Sequence, residues 1–260
     1  MTASPVLRKT DDTLADRRRQ ARVDLAAAHR LAVWHGFHEG ICNHMTLAVP
    51  GAADRYLQIP YGLHWSEVTA GCFLEVGYDG RVLSGAGEAE RSGFCIHAPI
   101  HRLVPDAACV LHTHMPFASA LARLEEPQIA PIGQTEIGLL DEIAYDDEYP
   151  GLALDPAEGE RLARVLGDKK VLIMASHGAL AVGATVAAAY NRLYYLERAA
   201  QVQLYPMWTG RPLKRVPAGV VAHTLRQYAE APVYGGKPAC EHHFAALKRL
   251  LDRREPDYAE

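Results

Sequence analysis

Ala107-Ala-Cys-Val-Leu-His112-Thr-His114 is the stretch whose reading decides the fold. A short apolar run closed by polar residues reads as a buried strand whose end emerges at a site. Side chains alternate faces along a strand, so His112 and His114 share one face, about 7 Å apart along it, with Thr113 on the other. Two imidazoles so placed can converge on one ion, or they can be two polar residues at a strand end. His177 adds weight to the first reading. It follows the apolar segment 171–175 and precedes Gly178, where a tight turn can present an imidazole to a pocket. Three neutral imidazoles at the ends of neighbouring strands would hold a divalent metal and leave positions open for substrate or water, as catalytic sites do.

The surrounding chain supplies the layers. Residues 14–35 carry Leu14, Ala21, Leu25, Ala28 and Ala32 at helical intervals, and Gly36 follows as a stop. Segments 44–51 and 55–60 read as strands separated by a Pro-Gly turn, and 73–78 with 81–83 as a hairpin closed by Asp79-Gly80. Residues 92–104 return to a helical pattern, and 115–124 predict a helix just after the histidine strand. Asp155-Pro156 opens a further helix that Gly167 closes. Strands are expected at 171–175 and 179–183, then a long helix over 186–204 and two shorter helices beyond Pro206, the last with Phe244, Leu247 and Leu251 on one stripe. Strands and helices interleave through one continuous domain, residues 1–206 with its core at about 20–206. A carboxy-terminal helical extension, 207–260, is expected to pack on it.

Composition excludes whole classes. The 260 residues are 49% hydrophobic and 22% charged, close to the averages of a soluble globular domain and far from a disordered or collagenous chain. Lys plus Arg number 27 against 31 acidic residues, a net charge of −4, so no global positive field invites nucleic acid or anionic lipid. The first ten residues lack the apolar run of a signal peptide, and no membrane segment is expected; cytoplasmic residence is the default reading. The five cysteines are odd in number, widely spaced and set mostly among small or apolar neighbours, so they read as reduced and most of them as structural, with no zinc-finger spacing. Histidine, with 13 residues, is the one enriched polar type.

Three motifs in order, residues 92–114 from Ser92 to His114, Ser176-His177-Gly178 and Tyr195-Leu-Glu-Arg-Ala-Ala-Gln201, resemble the class II aldolase and adducin N-terminal domain family over about residues 20–206. The resemblance implies an α/β fold, a three-layer α/β/α sandwich around a mostly antiparallel central sheet. It implies that His112, His114 and His177 ligate a divalent metal, Zn²⁺ by default, with Mn²⁺, Co²⁺ or Fe²⁺ also suited to imidazole. It further implies a homo-oligomer, usually a homotetramer, with active sites near subunit interfaces.

One departure bears on mechanism. The sugar-phosphate aldolases of this family carry a proton-moving Glu 19 residues before the first motif histidine, and here that position is Gly93. Glu90, with Glu88 beside it, can substitute, or both can be solvated loop charges. His97 and His101, four apart on one helix face, are an acid–base or ligand candidate and a packing residue respectively. Glu136, in a Gly-containing loop after the histidine strand, is a further candidate proton carrier. For substrate, Asn43 and Ser92 are retained as donors, and Arg91 offers a planar fork for a carboxylate or phosphate unless it pairs with Glu88 or Asp106.

Three functions follow as expectations. The leading one is a metal-dependent lyase that cleaves a C–C bond of a small, anionic hydroxy- or keto-carbonyl compound by aldol or decarboxylation chemistry. The second is a non-haem iron oxygenase or decarboxylase of aromatic keto acids, and the third a non-catalytic, adducin-like assembly module.

Overall fold

The computed structural model describes residues 13–231 and 233–260. The signal-peptide reading of the first ten residues falls outside them. No helix among the described residues is long and apolar enough to cross a membrane.

The chain opens with α1 (Leu14–His35), whose first turn is closed by a capping box between Thr13 and Asp16 and whose end is set by Gly36 at φ 71°. Then come β1 (His44–Ala48), β2 (Arg55–Gln58), the hairpin β3 (Leu74–Gly77) and β4 (Val82–Ser84), α2 (Arg91–Leu103) and β5 (Cys109–Thr113). The single-turn helices α3 (Pro116–Leu121) and α4 (Gln134–Ile137) lead to β6 (Ile143–Asp146), α5 (Pro156–Leu166), β7 (Val171–Met174) and β8 (Ala179–Gly183). Three longer helices complete the chain: α6 (Val186–Met207), α7 (Ala218–Ala229) and α8 (Ala239–Arg254).

All eight strands form one sheet in the order β4-β3-β2-β1-β5-β8-β7-β6. Every neighbouring pair is antiparallel except β6–β7. The period of two sorts the central strands cleanly. Cys109, Leu111, Ile173, Ala179 and Ala181 join the apolar cluster under α1 and α6, while Val110, Leu172, Leu180 and Val182 join the cluster under α2 and α5. Helices therefore cover both faces, which is the expected three-layer sandwich. Because His112 has the parity of Val110, its side chain emerges on the α2 face.

The α2–α5 contact has a local cause. Pro99, inside α2, has no N–H to give the carbonyl of Cys95. Gly159 of α5 fits against that carbonyl, where a Cβ would come within 2.1 Å of the Cys95 oxygen. On the other face, α8 buries Phe244 and Leu251 against α1 and α6. The carboxy-terminal turn is tied to α1 by Arg30, whose guanidinium reaches Glu255 (3.0 Å) and Asp257 (2.7 Å).

Differences from the expected elements are small and physical. β1 stops at Ala48, where Pro50 ends the ladder; α3 ends at Leu121; and α6 runs through Pro206 to Met207, since a proline in the last turn leaves earlier hydrogen bonds intact. The four-residue strand β6 carries too little alternation to be read from sequence. All five cysteines are free, with Cys95 and Cys109 buried and Cys42 exposed.

Candidate metal centre

β5 delivers His112 from its last turn of pleat and His114 just beyond its end; the β7–β8 turn, with Ser176 at φ 55°, delivers His177. One ring nitrogen from each lies within 4.8 Å of the others. The rings pack edge to face, with centroids 4.8–4.9 Å apart. Two of the outward nitrogens are spoken for. His112 Nδ1 donates to the Ala179 carbonyl (3.0 Å) and His114 Nδ1 to Glu39 (2.5 Å), fixing the tautomer that leaves each Nε2 as a lone pair. His114 Nε2 is buried without a protein partner. Burial first, and then the neighbouring imidazoles, hold His112 well below the usual imidazole range and push His177 down to about 4. Convergent imidazoles, two of them backed by a carboxylate and a carbonyl, fit a divalent cation.

Around the triad sits a second layer of polar groups. Asn43, held at φ 77°, is buried; its Oδ1 accepts the backbone N–H of His114 (3.1 Å), and its Nδ2 has no partner. His44 pairs across the ladder with His112, and their rings stack at 5.8 Å. Glu90 is the N-cap of α2. Its Oε2 accepts the Gly93 N–H (2.7 Å) and the Ser92 hydroxyl (2.7 Å), and it lies 2.9 Å from His44 Nε2. His97 is fully buried, meets His44 edge to face and bonds through Nδ1 to Thr46 Oγ (2.7 Å). The same hydroxyl reaches His101 Nε2 (2.8 Å), and His101 Nδ1 donates to the Ala107 carbonyl (2.7 Å). His101 therefore accepts from Thr46, which accepts from His97, so the chain of bonds leaves His97 Nε2 bare.

The sequence-derived candidates thus divide by position. Asn43, Glu90, Ser92 and His97 lie around the triad. Arg91 is exposed at the start of α2, where its Nε donates to the Leu154 carbonyl (3.1 Å); it pairs with neither Glu88 nor Asp106. Glu136 is buried on α4, which packs on α6 and α7, with its Oε2 against Gly133; it forms no hydrogen bond with the triad. Two residues escaped sequence reasoning. His44 becomes a neighbour of His112 only through the β1–β5 register, and Glu39 reaches His114 from an irregular loop with no pattern to mark it.

The family model described as Class II Aldolase and Adducin N-terminal domain matches residues 23–204. A Caulobacter vibrioides protein provisionally named an aldolase class 2 protein is 34% identical over 246 residues, covering 93% of this chain and 92% of its own. Rat (Rattus norvegicus) alpha-adducin is 32% identical over 95% of this chain but only 35% of its own length. The Streptomyces niveus protein named Decarboxylase NovR is 30% identical over 95% of this chain and 90% of its own. Among solved structures, an aldolase II superfamily protein from Pseudomonas syringae superposes with a TM-score of 0.85 at 34% identity, covering 94% of this chain and 96% of that one.

Proposed function

The chain belongs to the class II aldolase and adducin N-terminal domain family, and on that premise we propose that it is a divalent-metal-dependent lyase cleaving a C–C bond of a small hydroxy- or keto-carbonyl compound. The observation that carries this reading is the convergence of His112, His114 and His177 within 4.8 Å, with His114 Nε2 buried and unpartnered. Their donor set suits Zn²⁺ first, and Mn²⁺, Co²⁺ or Fe²⁺ as well. The chemistry a bound ion supplies there is Lewis-acid polarisation of a substrate carbonyl, which weakens the neighbouring C–C bond.

The chain's own groups complete the site. Glu39 and the Ala179 carbonyl hold His114 and His112 in orientation. Asn43 Nδ2 offers an N–H donor to a substrate oxygen, and the free guanidinium nitrogens of the exposed Arg91 are the cation proposed to recognise an anionic group. We propose further that the protein acts as a homotetramer and that the helices after residue 206 belong to the same folding unit, supported by the packing of α8 on α1 and α6.

Measuring metal by mass spectrometry in the purified full chain tests the proposal. About one divalent ion per chain, lost in His112→Ala and His177→Ala, is the expected result, together with turnover of some member of a panel of small hydroxy- and keto-carbonyl compounds. Absence of stoichiometric metal with binding unaffected by His112→Ala refutes it.

A second reading draws support from Gly93, which removes the family carboxylate, and from the relative named Decarboxylase NovR: an iron-dependent decarboxylase or oxygenase of aromatic keto acids. Oxygen uptake by anaerobically iron-loaded protein with such acids supports it; none across the series counts against it. An adducin-like assembly role draws on the alpha-adducin likeness, but packing alone gives no reason for three convergent bare nitrogens.

A further inference from the structure

Gly93 does more than omit a carboxylate; a side chain at this position would press on its neighbours. A Cβ there would lie 2.9 Å from Gln58 Nε2 and 3.0 and 3.1 Å from Cδ2 and Cγ of His44. The volume is taken by the His44 ring, which lies on the face shared with His112.

The bonding of that ring is asymmetric. Glu90 Oε2 already accepts from Ser92 and from the Gly93 N–H, so its contact with His44 Nε2 at 2.9 Å is that of a third donor meeting a carboxylate. His44 therefore carries its proton on Nε2. The ring edge bearing Cδ2 and Nε2 faces Gly93 and Glu90 on α2. Nδ1, on the other edge, is buried and has no partner. A buried acceptor without a donor is disfavoured, and such groups persist where a ligand or a reaction uses them. An imidazole held by a carboxylate at one nitrogen and bare at the other is the arrangement of a general base.

We propose that His44 is the proton carrier of this site and Glu90 its positioning residue, a proposal that rests on the lyase reading above. In the cleavage direction Nδ1 removes the substrate's hydroxyl proton. The O–H electron pair becomes the new carbonyl C=O bond as the neighbouring C–C bond breaks, and the electron pair of that bond stays on the departing carbon. His44 then returns the proton to that carbon, so nothing is oxidised or reduced and the imidazole is restored.

The return step can be read without knowing the substrate. Proton NMR in D₂O follows exchange of the α-protons of hydroxyacetone and dihydroxyacetone by the full-length, zinc-loaded chain. His44→Gln is expected to slow exchange about 100-fold or more at unchanged metal stoichiometry. Glu90→Gln is expected to lower the maximal exchange rate about tenfold with the half-saturating ketone concentration unaltered. Long-range ¹H–¹⁵N spectra of the metal-free wild type should show His44 protonated at Nε2 and bare at Nδ1, a readout that stands if the variants fail to fold. Exchange within threefold of wild type in His44→Gln, or a proton found on Nδ1, overturns the proposal and leaves the lyase reading intact. A metal-bound wild type that exchanges neither ketone removes both.

Discussion

At position 93 the absence of a side chain and the presence of a neighbouring one are the same fact. Gly93→Ala forces its methyl onto the His44 ring and the Gln58 amide, and an expected loss of about 1–3 kcal/mol in urea denaturation checks the overlap. Glu90 is a second residue whose surroundings define it. Burial pulls its carboxyl up, but donors from His44, Ser92 and Gly93 outweigh that and hold it at about 2. A depressed folded value means stability that is present above about 4.5 and is lost as pH falls toward 2. The difference is of order 3 kcal/mol at most, and Glu90→Gln should remove that part of the acid dependence in denaturation curves taken across this range. The sequence displayed Gly93 and Glu90 plainly. What it withheld was His44: only the pairing of residue 44 with 112 shows that a histidine stands where a carboxylate was expected, and register is a property of two strands at once.

Among elements, α2 carries the most consequence, because Glu90, Arg91, Ser92 and His97 all ride on it. Its position against α5 depends on Gly159, whose bare Cα accommodates the carbonyl that Pro99 leaves unbonded. Gly159→Ala is expected to push the helices apart, with a loss of about 2–4 kcal/mol in thermal or chemical unfolding and altered chemical shifts at His97. No periodicity marks this glycine, since a helix–helix contact involves residues about 60 apart. The elements themselves were legible. α1 and α5 announce their ends with Gly36, Asp155-Pro156 and Gly167, α6 its length with apolar residues at helical intervals, and β5, β7 and β8 are apolar runs of strand length. β6, short and mixed, was not, and neither was α4, where Glu136 sits away from the triad's hydrogen bonds.

Over the whole molecule, burial of imidazole sets the response to acid. His29 is fully buried between Trp65 and Phe73; burial pushes it down to about 4, the bond to the Leu25 carbonyl opposing this only in part. Between the unfolded value near 6.5 and about 4 the unfolded chain takes up the proton first. Stability should therefore fall by about 1.4 kcal/mol per pH unit on this account as pH drops through that window. His29→Leu should flatten the slope in denaturant titrations at pH 7, 5.5 and 4.5, and an unchanged slope would contradict the assignment.

The sheet that holds all this ends at one side in β4, three exposed residues long and irregular where it meets β3, and at the other in β6, four residues long. Neither border presents a long, straight row of free amides and carbonyls to another chain. Its sheet therefore offers little to strand-by-strand growth, the geometry that feeds fibrils, and leaves helices and loops as the surface another copy could meet.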